Sequence, residues 1–248
     1  MPIAALALPD QTGTRPVNRD LLADLRRQVA DLERAGQVRE GAVALGVPEI
    51  DRYLPDGGLA GGAVHEVLGG AVTGFAASIA AQLDGPVLWC FDASRCEDPY
   101  GPGLKALGFN PERLILARCR GLKEMLWTME EGLRSTAPSL VIAEPKANIG
   151  LIESRRLQLA AEAGGTLGLI LRDGGEAGRL APSAVASRWQ VDPASGGGWH
   201  LTLRRCRGAT ISRDEWKVRY NDATGHLALA AEAGDRPGAT ADRRLCPV

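Results

Sequence analysis

The chain has 248 residues, of which 45% are hydrophobic, and a formal net charge of −1. This hydrophobic content is enough for a packed core and argues against wholesale disorder, and the near-zero charge gives no overall attraction to nucleic acid or to a membrane surface. The five cysteines are scattered without a C-x-x-C pair, and no stretch approaches about 18 uninterrupted apolar residues. With no secretory signal pattern at the start of the sequence, we expect a cytoplasmic protein that binds no metal and no membrane.

The first 36 residues are predicted to form a flexible arm followed by an amphipathic helix. Asn18 can cap a helix that continues to about Ala35. One apolar stripe follows this helix, made of Leu21, Leu22, Leu25, Val29 and Leu32. Two interpretations stay open: the stripe packs on the chain's own core, or it docks on a neighbouring molecule.

The core is predicted to span residues 37–233, and its central segment reads strand, glycine turn, helix. A short apolar strand is predicted at residues 63–68 and a helix at 75–83. The turn between them contains Gly69, Gly70 and Gly74. Gly69 and Gly74 have the spacing of a phosphate-binding P-loop, in which backbone N–H groups hold phosphate at a helix N-terminus.

The charged residues of that motif are missing. A P-loop needs lysine for the phosphate and Ser or Thr for magnesium directly after its second glycine, and these positions are Phe75 and Ala76. No other register supplies the lysine, because the first lysine of the chain is Lys105. We therefore predict a loop that has lost its nucleotide chemistry, with Phe75 filling the empty phosphate position.

Beyond this segment, apolar strands alternate with helices. Strands are predicted at 87–91, 113–117, 140–143 and 166–171, and helices at 98–108, 121–134 and 150–163. Such alternation is typical of a mainly parallel sheet with helices on both faces, an α/β fold. Four short antiparallel strands are predicted on the C-terminal side, at 189–191, 199–204, 215–220 and 226–230, before a flexible tail at 234–248.

Two stretches, residues 43–62 and 87–108, resemble sequence motifs of the RecA family and occur in the same order along the chain. The first carries Gly46, Asp51, Gly58 and Leu59 of the family's approach to the P-loop strand; the second carries Phe91, Asp92, Ala93, Asp98 and Pro99 of its second strand. In RecA-type ATPases the catalytic glutamate follows that Asp-Ala pair, where this chain has Ser94. The Walker B strand ends in aspartate in that family, and here it leads to Glu144. The resemblance therefore implies a RecA-like core without ATPase activity or a nucleotide cofactor.

Within the RecA-like proteins, the chain resembles the ImuA family in its size, lysine-free loop, shortened DNA-binding loops and tryptophan-containing C-terminal sheet. This resemblance implies a non-catalytic accessory or scaffold protein of error-prone translesion synthesis in the SOS response to DNA damage. Its implied partners are an ImuB-like polymerase subunit and a DnaE2-type DNA polymerase, and contact with RecA or with a second copy stays open. The alternatives are a RecA-like regulator with weak residual nucleotide or DNA binding, and a SulA-like cell-division inhibitor.

The C-terminal strands supply two further sets of candidate contacts. Trp216 and Tyr220 are candidates for partner binding, together with the N-terminal stripe. The most basic stretch of the chain supplies candidate DNA contacts, namely Arg204, Arg205, Arg207, Lys217 and Arg219. Arginines interleaved with tryptophans suit phosphate and base contacts. A solvated outer face of an antiparallel hairpin explains the same pattern, and the near-zero net charge favours that interpretation.

Overall fold

The structure is a computed structural model that describes residues 41–95, 98–172, 182–195, 197–209, 213–221 and 226–230. The predicted N-terminal arm and helix (1–36) and the predicted tail (234–248) lie outside these residues. The apolar stripe Leu21, Leu22, Leu25, Val29 and Leu32 is therefore not placed by the structure.

Short elements lead into the main sheet. They are β1 (Ala42–Val43), α1 (Pro48–Asp51), a 3-10 turn (Pro55–Gly57) and β2 (Leu59–Ala60), with β1 and β2 paired antiparallel. The carboxylate of Asp51 accepts hydrogen bonds from the backbone N–H groups of Leu45 (2.8 Å) and Val47 (3.1 Å). Burial raises the pKa of Asp51, and these backbone donors partly offset that rise. Asp51 thus fixes the fold of the segment that enters the core.

The remaining strands of the described residues form one nine-stranded sheet. They are β3 (Val64–Leu68), β4 (Val87–Asp92), β5 (Leu114–Cys119), β6 (Leu140–Glu144), β7 (Leu167–Arg172), β8 (Ser187–Pro193), β9 (Trp199–Cys206), β10 (Glu215–Asn221) and β11 (His226–Leu229). Their order across the sheet is β11-β10-β9-β8-β3-β7-β6-β4-β5. Strands β3 to β8 pair in parallel, and β8 to β11 pair antiparallel in succession. The predicted α/β class, with antiparallel strands on the C-terminal side, is confirmed.

Helices cover both faces of the parallel part, as continuous apolar strands require. They are α2 (Val72–Ala81), α3 (Gly101–Ala106), α4 (Leu122–Arg134) and α5 (Leu151–Gly164), with a second 3-10 turn at Pro111–Arg113. Helix α2 packs in one apolar core, and α4 and α5 pack in the core on the opposite face of the sheet. Among the described residues, no helix has the length and apolarity needed to cross a bilayer.

Helix α2 begins three residues earlier than predicted. The sequence suggested a six-residue loop around a phosphate, followed by a helix from residue 75. In the structure the turn is tighter and the helix starts at Val72. The physical reason lies in the contacts of this turn with β8 and β9.

The C-terminal strands supply much of the core on the α2 side. Trp216 is 1% exposed, with its ring centroid 5.8 Å from Tyr53 and 6.3 Å from Trp189. Trp216 therefore occupies a core position, which corrects its prediction as a surface contact, because a buried side chain presents nothing to a partner. Tyr220 is half-buried and packs against the same core.

Candidate functional site

The glycine turn between β3 and α2 is closed by strand β8. The backbone N–H of Gly70 donates to the Asp192 carboxylate (3.1 Å), and the N–H of Ala71 donates to the Val191 carbonyl oxygen (3.1 Å). In a P-loop such N–H groups point at phosphate oxygens. Here a carboxylate of the chain itself takes the place of the anion, so these donors are already satisfied.

The glycines of this turn have a steric reason of their own. A Cβ on Gly69 would lie 2.2 Å from the carbonyl oxygen of Val191, and Gly69 adopts a φ of 121°, which side-chain-bearing residues rarely adopt. A Cβ on Gly74 would lie 2.6 Å from the indole ring of Trp199. The P-loop spacing is therefore explained by the close approach of β8 and β9, independently of any nucleotide.

Phe75 and Ala76 face the core. Both side chains are fully buried, and the Phe75 ring centroid lies 6.1 Å from that of Trp189. We expected Phe75 to fill the phosphate position, but its side chain lies in the core, and the Asp192 carboxylate accepts the N–H of Gly70. Phe75 is a packing residue of α2.

A cavity of about 750 Å³ lies beside the turn, where β4, β6 and β7 end. Ligands of α/β proteins bind at this carboxyl edge of parallel strands. Its polar lining consists of Thr73, Asp92, Arg95, Glu144, Lys146, Asn148 and Arg172. This cavity is the candidate functional site.

Asp92 and Ser94 form one half of its charge network. The Asp92 carboxylate accepts the backbone N–H of Ser94 (2.9 Å) and also its hydroxyl, and lies 3.5 Å from Lys146 Nζ. The Ser94 hydroxyl, followed by its N–H, and then Lys146 hold the pKa of Asp92 below its ordinary value. Ser94 therefore holds the Asp92 carboxylate in place, and its own hydroxyl is a poor general base.

Glu144 and Arg172 form the other half. Glu144 accepts the indole N–H of Trp89 (2.7 Å) and pairs with Arg95. Arg172 pairs with the buried Glu66 (3.0 Å) and donates to Asn148. Every charged group in the lining is thus paired inside the protein, and the described residues contain no cluster of three or more metal-ligating side chains.

Glu66 anchors this network in the middle of the sheet. It is 5% exposed and also accepts a hydrogen bond from Arg188 Nε (2.6 Å) on β8. Sequence reasoning missed Glu66, Lys146 and Asp192. A glutamate inside an apolar strand was the available indication for Glu66; the roles of the other two depend on strand register and loop path.

The candidate DNA contacts are spread along the neighbouring strands β9 and β10. Arg207 donates to the Ala184 carbonyl oxygen (2.7 Å), and Arg205 is tied in the same way to the carbonyl oxygen of Val185. Burial, followed by the nearby charges of Arg188 and Arg207, lowers the pKa of Arg205.

Arg205 is nevertheless exposed, as are Arg204, Lys217 and Arg219, whereas Arg207 is half-buried. In the strand register, Lys217 of β10 lies opposite His200 of β9. Arg205, near the other end of β9, lies opposite Arg188 of β8. Five residues of strand separate the two positions, roughly 17 Å. One hydrogen bond to a carbonyl oxygen leaves an arginine further N–H donors, so the role of this set as DNA contacts stays a prediction.

Fold and site together define an α/β protein with a P-loop-like strand–turn–helix unit whose loop is closed by its own neighbouring strand. No family model matches the chain. The chain is 34% identical over 239 residues to Protein ImuA of Caulobacter vibrioides (strain NA1000 / CB15N), covering 79% of this chain and 96% of the relative. Protein ImuA of the strain ATCC 19089 / CIP 103742 / CB 15 matches to the same extent. The chain belongs to the ImuA family.

Proposed function

We propose that this chain is a non-catalytic accessory protein of error-prone translesion DNA synthesis in the SOS response, and that it acts by holding polymerase subunits together. Family membership supports the process. The observation that carries the non-catalytic part is the bond from the Gly70 N–H to the Asp192 carboxylate (3.1 Å). The implied partners are an ImuB-like polymerase subunit and a DnaE2-type DNA polymerase.

The chemistry of phosphoryl transfer supports this choice. Transfer depends on cations that clamp the phosphates and on a group that orients the attacking nucleophile. In this chain Phe75 is in the core, the turn's donors are bonded to β8, and Ser94 stands where the orienting glutamate would be. The phosphate-binding lysine is replaced, the N–H donors of the turn are occupied, and the orienting glutamate is replaced. These three changes are independent, so a single substitution would not restore hydrolysis.

Residual nucleotide binding is the second candidate function. The cavity of about 750 Å³ is large enough for a nucleotide, and Arg95 and Lys146 line it. The Lys146 side chain is 65% exposed and its Asp92 contact is long, at 3.5 Å, so a phosphate could compete for this ammonium. The turn amides would take no part in such binding.

Calorimetric titration of MgATP into the full chain tests the first proposal against the second. We expect no binding heat and no phosphate release, with or without single-stranded DNA. Asp192→Ala would free the Gly70 donor, with Asp84→Ala, an exposed carboxylate elsewhere, as the matched control. Binding that appears only in Asp192→Ala would identify β8 as the block. Tight binding by the unaltered chain that weakens on Lys146→Ala would favour the second candidate, and phosphate release would contradict the first.

Partner binding has its own test. We expect the full chain to co-purify with the ImuB-like subunit when the two are co-expressed, and we expect removal of residues 1–36 to weaken this complex or self-association. Leu25→Asp, which places a charge in the predicted apolar stripe, should have the same effect, and Arg26→Asp on the polar side of the same predicted helix is the control. A truncated chain with unchanged partner binding and unchanged oligomeric state would exclude the stripe as a docking element.

A further inference from the structure

The outward face of α4 and α5 carries large apolar side chains in contact with solvent. Trp127 on α4 is 61% exposed, and Ile152 and Leu159 on α5 are 82% and 47% exposed. Three other tryptophans, at positions 89, 189 and 216, are at most 1% exposed. Exposed tryptophan adjoining other exposed apolar residues is typical of a protein-binding surface.

These side chains are brought together by the packing of the two helices. Both helices connect parallel strands of one sheet, so they run in the same direction. An ion pair between Arg156 Nε and Glu130 Oε2 (2.6 Å) joins them at one level. Trp127 lies about one turn before Glu130, and Ile152 about one turn before Arg156. Trp127 and Ile152 therefore flank the same level of the groove between the helices, and Leu159 follows about two turns after Ile152.

A groove of about 480 Å³ opens beside Trp127. Its lining consists of Arg120, Lys123, Glu124, Trp127, Glu130 and Arg156. The volume is large enough for one or two apolar side chains of a bound segment. A concave groove beside an exposed aromatic ring suits an inserted side chain better than the flat surface of a bilayer does.

The carboxylates of this groove are already engaged. Glu130 is shared by Arg156 and by Arg134, whose Nη2 lies 2.9 Å from it. Glu124 accepts the backbone N–H of Arg120 (2.9 Å). In the described part of the chain, the side chains of Arg120 and Lys123 form no ion pair. The lining carries three cations, Arg120, Lys123 and Arg156, against the two carboxylates Glu124 and Glu130, so a ligand in the groove would face a net positive charge.

We propose that this α4–α5 surface, defined by Trp127, Ile152, Leu159, Arg120 and Lys123, binds an acidic amphipathic segment of a partner protein. An apolar side chain of the segment packs against Trp127 and Ile152, and its carboxylates face Arg120 and Lys123. The apolar contact supplies most of the affinity, and the charges supply the choice of partner. The surface lies on α4 and α5 and involves neither the glycine turn nor the N-terminal stripe, so its test is independent of the proposed function.

Two labelled helical peptides serve as probes in fluorescence anisotropy with the full chain. Both carry Leu at i, i+3, i+4 and i+7, and their other exposed positions are Glu in one peptide and Lys in the other. We expect the Glu peptide to bind at least about tenfold more tightly than the Lys peptide. Trp127→Ala should weaken Glu-peptide binding by at least about tenfold. Tyr100→Ala, which removes a 73% exposed aromatic outside this surface, should change nothing.

Charge reversal gives the decisive comparison. Arg120→Glu combined with Lys123→Glu should invert the preference toward the Lys peptide. Both side chains are exposed, so folding should be preserved. Circular dichroism melting of each variant checks that point. Equal binding of both peptides, an unchanged preference after charge reversal, or binding unaffected by Trp127→Ala would each overturn the proposal. Trp127-dependent binding to vesicles of equal parts phosphatidylglycerol and phosphatidylcholine, without binding of the Glu peptide, would also overturn it and identify a membrane contact.

Discussion

Installing the missing P-loop residues should destabilise the protein without creating an ATPase. The perturbation is the double variant Phe75→Lys with Ala76→Thr, which writes the charged part of the motif into this chain. In a P-loop the lysine side chain reaches the phosphates, but the side chain at position 75 is fully buried in the core against Trp189. The lysine would therefore be placed among apolar groups.

The magnitude follows from that burial. Removing a buried phenylalanine ring costs about 3–5 kcal/mol, and leaving an ammonium in the vacated space adds a desolvation cost or forces the lysine to become neutral. For a chain of this length, each kcal/mol corresponds to about 2–4 °C in melting temperature. The melting temperature should therefore fall by roughly 6–20 °C, a large share of the stability of a typical domain.

Thermal unfolding followed by circular dichroism measures this fall in melting temperature, and calorimetry with MgATP measures binding. Thr73→Lys is the matched control, because Thr73 lies on the same helix but lines the cavity. It should cost no more than about 1 kcal/mol, the cost of a cation near a helix N-terminus. A double variant that is as stable as the control and binds MgATP would refute the core placement of Phe75 and the closure of the loop.

Three further outcomes are expected. Glu66→Gln should lower the free energy of unfolding in urea by about 3–5 kcal/mol, because it leaves buried guanidinium groups without their carboxylate. Glu130→Gln, whose arginine partners are half exposed, should lower it by at most about 1 kcal/mol. Similar losses for both variants would contradict this reasoning. Burial raises the pKa of the Cys90 thiol from 9.0 to about 12, so the unfolded thiol ionises first. Between these pH values stability should fall by up to about 1.4 kcal/mol per pH unit, a slope that Cys90→Ala should reduce. Gly69→Ala should lower the free energy of unfolding by about 3 kcal/mol or more, since its Cβ would overlap a carbonyl oxygen of β8. Gly101→Ala, whose Cβ would make only an ordinary contact with Pro111 at 3.9 Å, should lie within about 0.5 kcal/mol of the unaltered chain. Equal stability of the two glycine variants would show that the turn can move away from β8.

Local patterns in the sequence were sufficient for the order and type of most elements. The apolar run at 140–143 became β6, and the stripe Met125, Met129 and Leu133 became the buried side of α4. Such patterns can be recognised in the sequence because buried apolar residues recur with one period in strands and with another in helices. The loss of the lysine and of the magnesium hydroxyl was equally visible, because the P-loop motif is contiguous.

The surroundings of individual side chains could be predicted less well from the sequence. Trp216 looked like a partner contact in a basic strand, but the alternation of β10 turns it into the core between Tyr53 and Trp189. The sequence likewise did not indicate that Arg205 and Arg207 donate to backbone carbonyl oxygens at positions 185 and 184. A strand fixes which residues share a face, but the packing partner on each face comes from other parts of the chain.

The sequence by itself determined that the loop lacks the lysine and the Ser or Thr of a P-loop, since that conclusion needs only the residues at positions 75 and 76. Only the tertiary structure decided which group bonds to the N–H of the turn. Asp192 lies 122 positions from Gly70, and its carboxylate reaches that N–H because β8 pairs in parallel with β3 in one particular register. Register is set by the packing of the whole sheet, and a shift by one residue would turn Asp192 to the other face. The closure of the loop is therefore a property of the assembled sheet and not of the motif.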